Sequence, residues 1–153
     1  MDLGSKHRSR SRQGERGQAI AELACIAPLV LLMLIGLIEA GRFASFSIMV
    51  ANAARAGVQY GAQNLVTAAD TTGMQNAAAA DAQNVSGLNA TATHFCKCAD
   101  GSTSGCLEGD CSTSHRITYV QLNVTGTFNS IVHFAYIRPS ITVASSATMR
   151  VSQ

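Results

Sequence analysis

From Leu23 to Ile38 the chain carries no charged or strongly polar side chain, and Ala19, Ile20 and Ala21 extend this apolar run backward across a single acid, Glu22. About 20 residues of helix, rising roughly 1.5 Å each, match the roughly 30 Å of hydrocarbon in a bilayer. A helix buried in a soluble core is the competing reading. It requires partners that wrap the segment on every side, and a chain of 153 residues with 13% charged residues, few aromatics and no Trp has little to offer for that. The run therefore reads as a membrane span, with room left for one modest domain.

Orientation follows from the flanks. Lys6, Arg8, Arg10, Arg12 and Arg16 precede the run, and Arg42 alone lies close behind it. By the positive-inside rule the N-terminus is cytoplasmic and residues 43 to 153 lie outside. The formal net charge of +2 splits accordingly: residues 1–17 hold five basic and two acidic groups, so the remainder is left at −1. No basic patch remains downstream to argue for nucleic acid.

A removed secretory signal fits poorly, because the apolar stretch is too long, Pro28 lies near its start, and Ile38-Glu39-Ala40-Gly41-Arg42 offers no small-x-small cleavage site. A lipoprotein signal fails because Cys25 precedes most of the run. It reads instead as a small apolar helix residue. The arginines are never adjacent, so a twin-arginine signal is unsupported as well.

Glu22 asks for an explanation, since a carboxylate costs on the order of 2 to 3 kcal/mol at mid-bilayer and less near the interface. It could simply sit at headgroup depth, where the helix N-terminus favours negative charge. Its neighbours suggest more: Arg16-Gly17-Gln18-Ala19-Ile20-Ala21-Glu22 is a basic leader ending in Gly, then four residues, then an acid heading an apolar helix. This resembles the prepilin peptidase site of type IV pilins, in which cleavage follows the Gly and the fifth mature residue is Glu. Gly17 offers a protease an extended backbone without an obstructing side chain. The resemblance implies that cleavage between Gly17 and Gln18 leaves an ammonium on Gln18, and that this group and Glu22 compensate one another as subunits pack.

The following stretch narrows the family. Leu23-Ala24-Cys25-Ile26-Ala27-Pro28, then Glu39-x-Gly41-Arg42, then Asn52-Ala53-Ala54-Arg55-Ala56-Gly57 fall in order over residues 16 to 62. This pattern resembles the TadE-like pseudopilin family of the tight-adherence (Flp) pilus system. Leu23, Ala24 and Ala40 depart from the aromatics often found at those places. The resemblance implies a non-enzymatic assembly component or minor pseudopilin of the inner membrane, with a prepilin peptidase, other pilins or pseudopilins and the pilus assembly platform as partners, and no cofactor.

Pro28 lacks an amide donor and predicts a kink one turn into the span. Glu39 and Arg42 stand three apart and can pair, while Phe43, Phe46, Met49 and Val50 carry an apolar stripe toward Tyr60, so one helix is expected to about Gln63. Gly36, Ala40, Ala44, Ala54 and Gly61 would permit close approach of another helix. Residues 64 to 92 predict a short helix, capped by Asp70 or Thr72, and a linker. Beyond His115 the period becomes two: Val120, Leu122 and Val124 predict one strand, Ile141, Val143, Ala147, Met149 and Val151 another, and Phe128 to Ile137 a third between them, with Pro139 at the turn.

Cys96, Cys98, Cys106 and Cys111 cluster in a Gly- and Ser-rich stretch on the oxidising side, which predicts two disulfides of open connectivity in a loop. Zinc is the sharper alternative, with His94 and His115 flanking the thiols, but the Cys spacing is not that of paired CxxC ligands. A thioredoxin-like role lacks its CxxC. His7 and His133 have no evident partner, and no phosphate loop, acid pair or nucleophile motif is present to support an enzyme. The fold class expected is α+β: residues 1–17 a basic leader, 18–63 a transmembrane helix continuing outside the membrane, 64–92 a short helix and linker, and 93–153 a small antiparallel sheet with a cysteine-rich loop. The rival is a membrane-anchored envelope domain that binds a ligand or metal through that loop.

Overall fold

The computed structural model describes residues 13–107, 109–132 and 139–152, with side chains from Gly17 onward. Lys6, His7, Arg8, Arg10, Arg12 and His133 lie outside these residues. Helix α1 runs Gln13–Gly61, α2 Leu65–Ala69 and α3 Thr71–Asp81. Strands β1 Asn89–Cys98, β2 Thr103–Ser104, β3 Arg116–Asn129 and β4 Ser140–Arg150 form one antiparallel sheet in the order β2-β1-β3-β4. The architecture is α+β, as the sequence predicts. The chain divides into two units, Met1–Ile38 and Glu39–Gln153.

In the first unit, the large apolar side chains from Ile20 to Ile38 are exposed; Leu31 is 59% and Ile38 63% accessible. The helix is long and apolar enough to cross a membrane. Nothing within this unit buries it, so water is a poor solvent for the surface it presents.

The second unit has a conventional core. Phe46, Val50, Ala53, Ala54 and Val58 of α1 pack with Met74 and Ala78 of α3 and with Val120, Leu122, Val124 and Phe128 of β3. The even-numbered residues of β3, from Thr118 to Phe128, are all buried, so the period-two reading places the right face inward. Register carries it to the neighbours: Leu122 stands opposite Ala92 on β1 and Ala147 on β4. Full burial of each such Val or Leu contributes roughly 1.5 to 3 kcal/mol.

Small residues set the helix-to-sheet distance. A Cβ on Gly57 would collide with Leu122 and approach the Met74 carbonyl to 2.7 Å, and one on Gly126 would meet Val85 at 2.5 Å and Phe46 at 3.1 Å. Of the small residues expected to admit another helix, Ala54 and Gly61 are thus already used inside this unit, Gly61 against Met74.

Asp70 caps α3 as expected, its carboxylate accepting the Gly73 amide at 2.8 Å. The preceding turn α2 is an addition to the expected elements; Asn64 caps it by accepting from the Val66 and Thr67 amides, both at 2.9 Å, while the Asn64 amide donates to the Thr67 hydroxyl at 3.1 Å. Two expectations need correction. Cys96 and Cys98 lie on strand β1 rather than in a loop. Of the strand expected from Phe128 to Ile137, Phe128 and Asn129 instead end β3, the Ser130 amide donates to the Pro139 carbonyl at 2.9 Å, and residues 133–137 lie outside the described residues.

Candidate functional site

Gly17, Gln18, Glu22 and Pro28 all fall on α1 in the first unit. Gly17 is helical, not extended, and a Cβ built on it meets nothing within 4 Å. An extended backbone at Gly17 would require the start of the helix to unwind. Glycine eases this, being about 1 kcal/mol poorer than alanine as a helix former. One turn on, the Gln18 side-chain amide donates to Glu22 Oε1 at 3.2 Å. The i,i+4 spacing thus brings positions 18 and 22 onto one stripe of the helix. Glu22 is exposed, as is Cys25, a free thiol. The helix is continuous across Pro28.

A second cluster belongs to the other unit. Arg42 Nη1 donates to Glu39 Oε2 at 2.7 Å, the i,i+3 pair expected from sequence. Sequence reasoning missed what this pair holds. Glu39 Oε1 accepts the Ile131 amide at 3.1 Å, Arg42 Nη2 reaches the Asn129 carbonyl at 3.5 Å, and the guanidinium lies 5.3 Å from the Phe128 ring centre. Phe43 and Phe46 meet the same ring edge-on at 5.4 and 5.6 Å. The end of β3 and the residues directly after it are thereby pinned to the first turn of α1 within this unit. Ninety-two residues separate Glu39 from Ile131, a distance no local pattern reports.

The four clustered cysteines form two interleaved disulfides, Cys96–Cys106 and Cys98–Cys111. Two acids complete the loop. Asp100 accepts from the Ser102 hydroxyl and amide at 2.7 and 3.0 Å and from Thr113 at 3.3 Å, while Asp110 accepts from the Leu107 amide and the Ser104 hydroxyl, each at 3.1 Å. These donors, led by Ser102 for Asp100 and by the Leu107 amide for Asp110, hold both carboxyls below the usual carboxylate range. Arg116 ties the loop to β3 by donating to the Cys106 carbonyl at 2.7 Å. With their sulfurs bonded in pairs, these cysteines offer no thiolates to a zinc ion. His94 and His115, its other proposed ligands, are exposed. Among the described residues no group of three His, Cys, Asp or Glu stands where it could hold a metal.

Comparison with protein-family models matches residues 17–59 to the TadE-like protein family. The matched segment contains Gly17, Glu22, Pro28, Glu39, Arg42 and the Asn52-to-Gly57 group, which bears out the resemblance read from these residues. No curated protein and no solved structure matches the chain. The sheet and its disulfides lie beyond the match.

Proposed function

From a chain whose residues 17–59 are TadE-like, and which the family thereby ties to the tight-adherence pilus, we propose a minor pseudopilin or assembly component processed by a prepilin peptidase between Gly17 and Gln18. The TadE-like family is not known for enzymatic activity, and the protein acts by binding. The observation that carries the proposal is Glu22, an exposed acid on the same helix stripe as Gln18, at the head of an apolar surface that nothing in its own unit covers. The helix serves as a single inner-membrane anchor with its arginine-rich end toward the cytoplasm and residues 43–153 on the outer side.

Each residue has a distinct role in this reading. Gly17 supplies a peptide that unwinds readily, and cleavage converts the Gln18 nitrogen into an ammonium. Glu22 neutralises such a charge, in its own subunit or the next, where lipid or a filament interior would otherwise penalise it. Pro28 loosens the helix by removing one backbone bond. Other pilins or pseudopilins and the assembly platform are the partners.

Mass spectrometry of the protein recovered from its native membrane tests the processing step. A mature chain beginning at Gln18 is expected, and retention of residues 1–17 overturns the assignment. Glu22→Ala is expected to leave cleavage intact while abolishing incorporation into the pilus or its assembly complex. Unchanged incorporation removes the role given to Glu22.

A further inference from the structure

We propose that residues 130–132, directly after β3, are a membrane-contact element, with the Ile131 side chain seated at the boundary between lipid headgroups and acyl chains. The inference rests on the membrane-spanning reading of α1. Glu39 is the first polar residue after the apolar run, which places its carboxylate at the depth where the helix passes from hydrocarbon to headgroups. Its side chain leans toward the N-terminal end of its own helix, as helical side chains do, and hence toward the lipid. The Ile131 amide is bonded to that carboxylate at 3.1 Å, so this segment is held at the same depth.

The side chains there are wrong for water. Ile131 is 67% exposed and lies outside the core, although its backbone is firmly tied. Phe43, one helical turn beyond Glu39, remains 39% exposed even with one edge against Phe128. Around them the polar groups have partners: Glu39 with Arg42 and the Ile131 amide, and the Ser130 hydroxyl with the Val132 carbonyl at 2.9 Å. An apolar tip on a satisfied polar base suits the interfacial zone, where apolar area is buried while charges keep their hydration. The Glu39–Arg42 pair is then a positioning device that fixes the depth of the tip.

The test uses the full chain with Cys25→Ser, its disulfides oxidised, in vesicles of phosphatidylethanolamine and phosphatidylglycerol. An environment-sensitive dye is attached in turn at Ile131→Cys, at Ile35→Cys in the apolar run, and at Ser146→Cys on the open face of β4. A quencher carried at shallow depth on the lipid is expected to suppress emission at position 131 several-fold more than at 146, with a blue shift. Equal quenching at 131 and 146, alongside strong quenching at 35, overturns the contact and leaves the span standing. Absence of quenching at 35 sinks the span itself. A blue shift at 131 that appears only as protein density rises, without lipid quenching, assigns the tip to a neighbouring protein and also overturns the proposal. Ile131→Asp, which changes an exposed position, is expected to abolish the difference in quenching measured with a dye at Val132→Cys while leaving the unfolding midpoint unchanged.

Discussion

Up to Ile38, helix α1 presents leucine, isoleucine and valine that its own unit leaves exposed; from Phe46 to Gly61 its inward residues are mostly Val, Ala and Gly, and they are buried. The larger apolar surface is the uncovered one. Hydrophobic content therefore does not mark the core of this protein. The core forms where small residues let α1 approach a sheet closely, as at Gly57 beneath Leu122 and at Gly126 beneath Phe46. The bulky run, long and apolar enough to cross a membrane, is left uncovered by its own unit.

Truncating one leucine from each region is the most direct way to break this contrast. Leu122→Ala, at a fully buried site, is expected to destabilise residues 39–153 by about 2 to 5 kcal/mol, and Leu31→Ala to leave the same denaturation midpoint in place. Equal losses would show that the run is packed after all. Reversing the polarity tests the other side: Leu31→Arg is expected to weaken membrane insertion by roughly 3 to 4 kcal/mol, read as the vesicle-bound fraction, whereas Val66→Arg, at a site 81% exposed, leaves it unaltered.

Removing Cys98–Cys111 by a double Ser substitution should lower the unfolding free energy of the second unit by about 2 to 4 kcal/mol, with insertion of the first unit unaffected. The smallest effect is a pH dependence. The Gly73 amide and then the Tyr60 hydroxyl hold the Asp70 carboxyl below its usual range. A group whose native pKa is depressed stabilises the fold above its unfolded value, so this contribution is complete at neutral pH and disappears as pH falls through the lowered value. Asp70→Asn should flatten the acid limb of the stability profile, measured by circular dichroism.

Legibility in the sequence followed the physics of each segment. The apolar run is plain because 16 residues in succession lack a charged or strongly polar side chain, and β3 is plain because Val120, Leu122 and Val124 alternate with polar neighbours. Strand β1 is hidden: its buried positions are Ala92, Cys96 and Cys98, with Ala90 half-buried and His94 exposed, and Ala-Thr alternation resembles a linker more than a buried strand. The Glu39–Arg42 pair is local and was visible, whereas its hold on Ile131 depends on tertiary folding. At the N-terminus the resemblance pairs an ammonium on Gln18 with Glu22, whereas the side-chain bond between these two residues and the helical state of Gly17 come from the folded helix.

The faint pattern of β1 gives the two sulfur bridges a second significance. Small and polar residues specify strand register weakly, and a slip by one place would rotate every β1 side chain to the opposite face. Cys96 and Cys98 share a face, opposite Thr118 and Arg116, and both sulfurs reach their partners from that side. A misaligned strand would turn both thiols away at once, leaving neither bond able to close. Both bridges thus belong to the face that β1 presents when Ala92 is seated against Leu122.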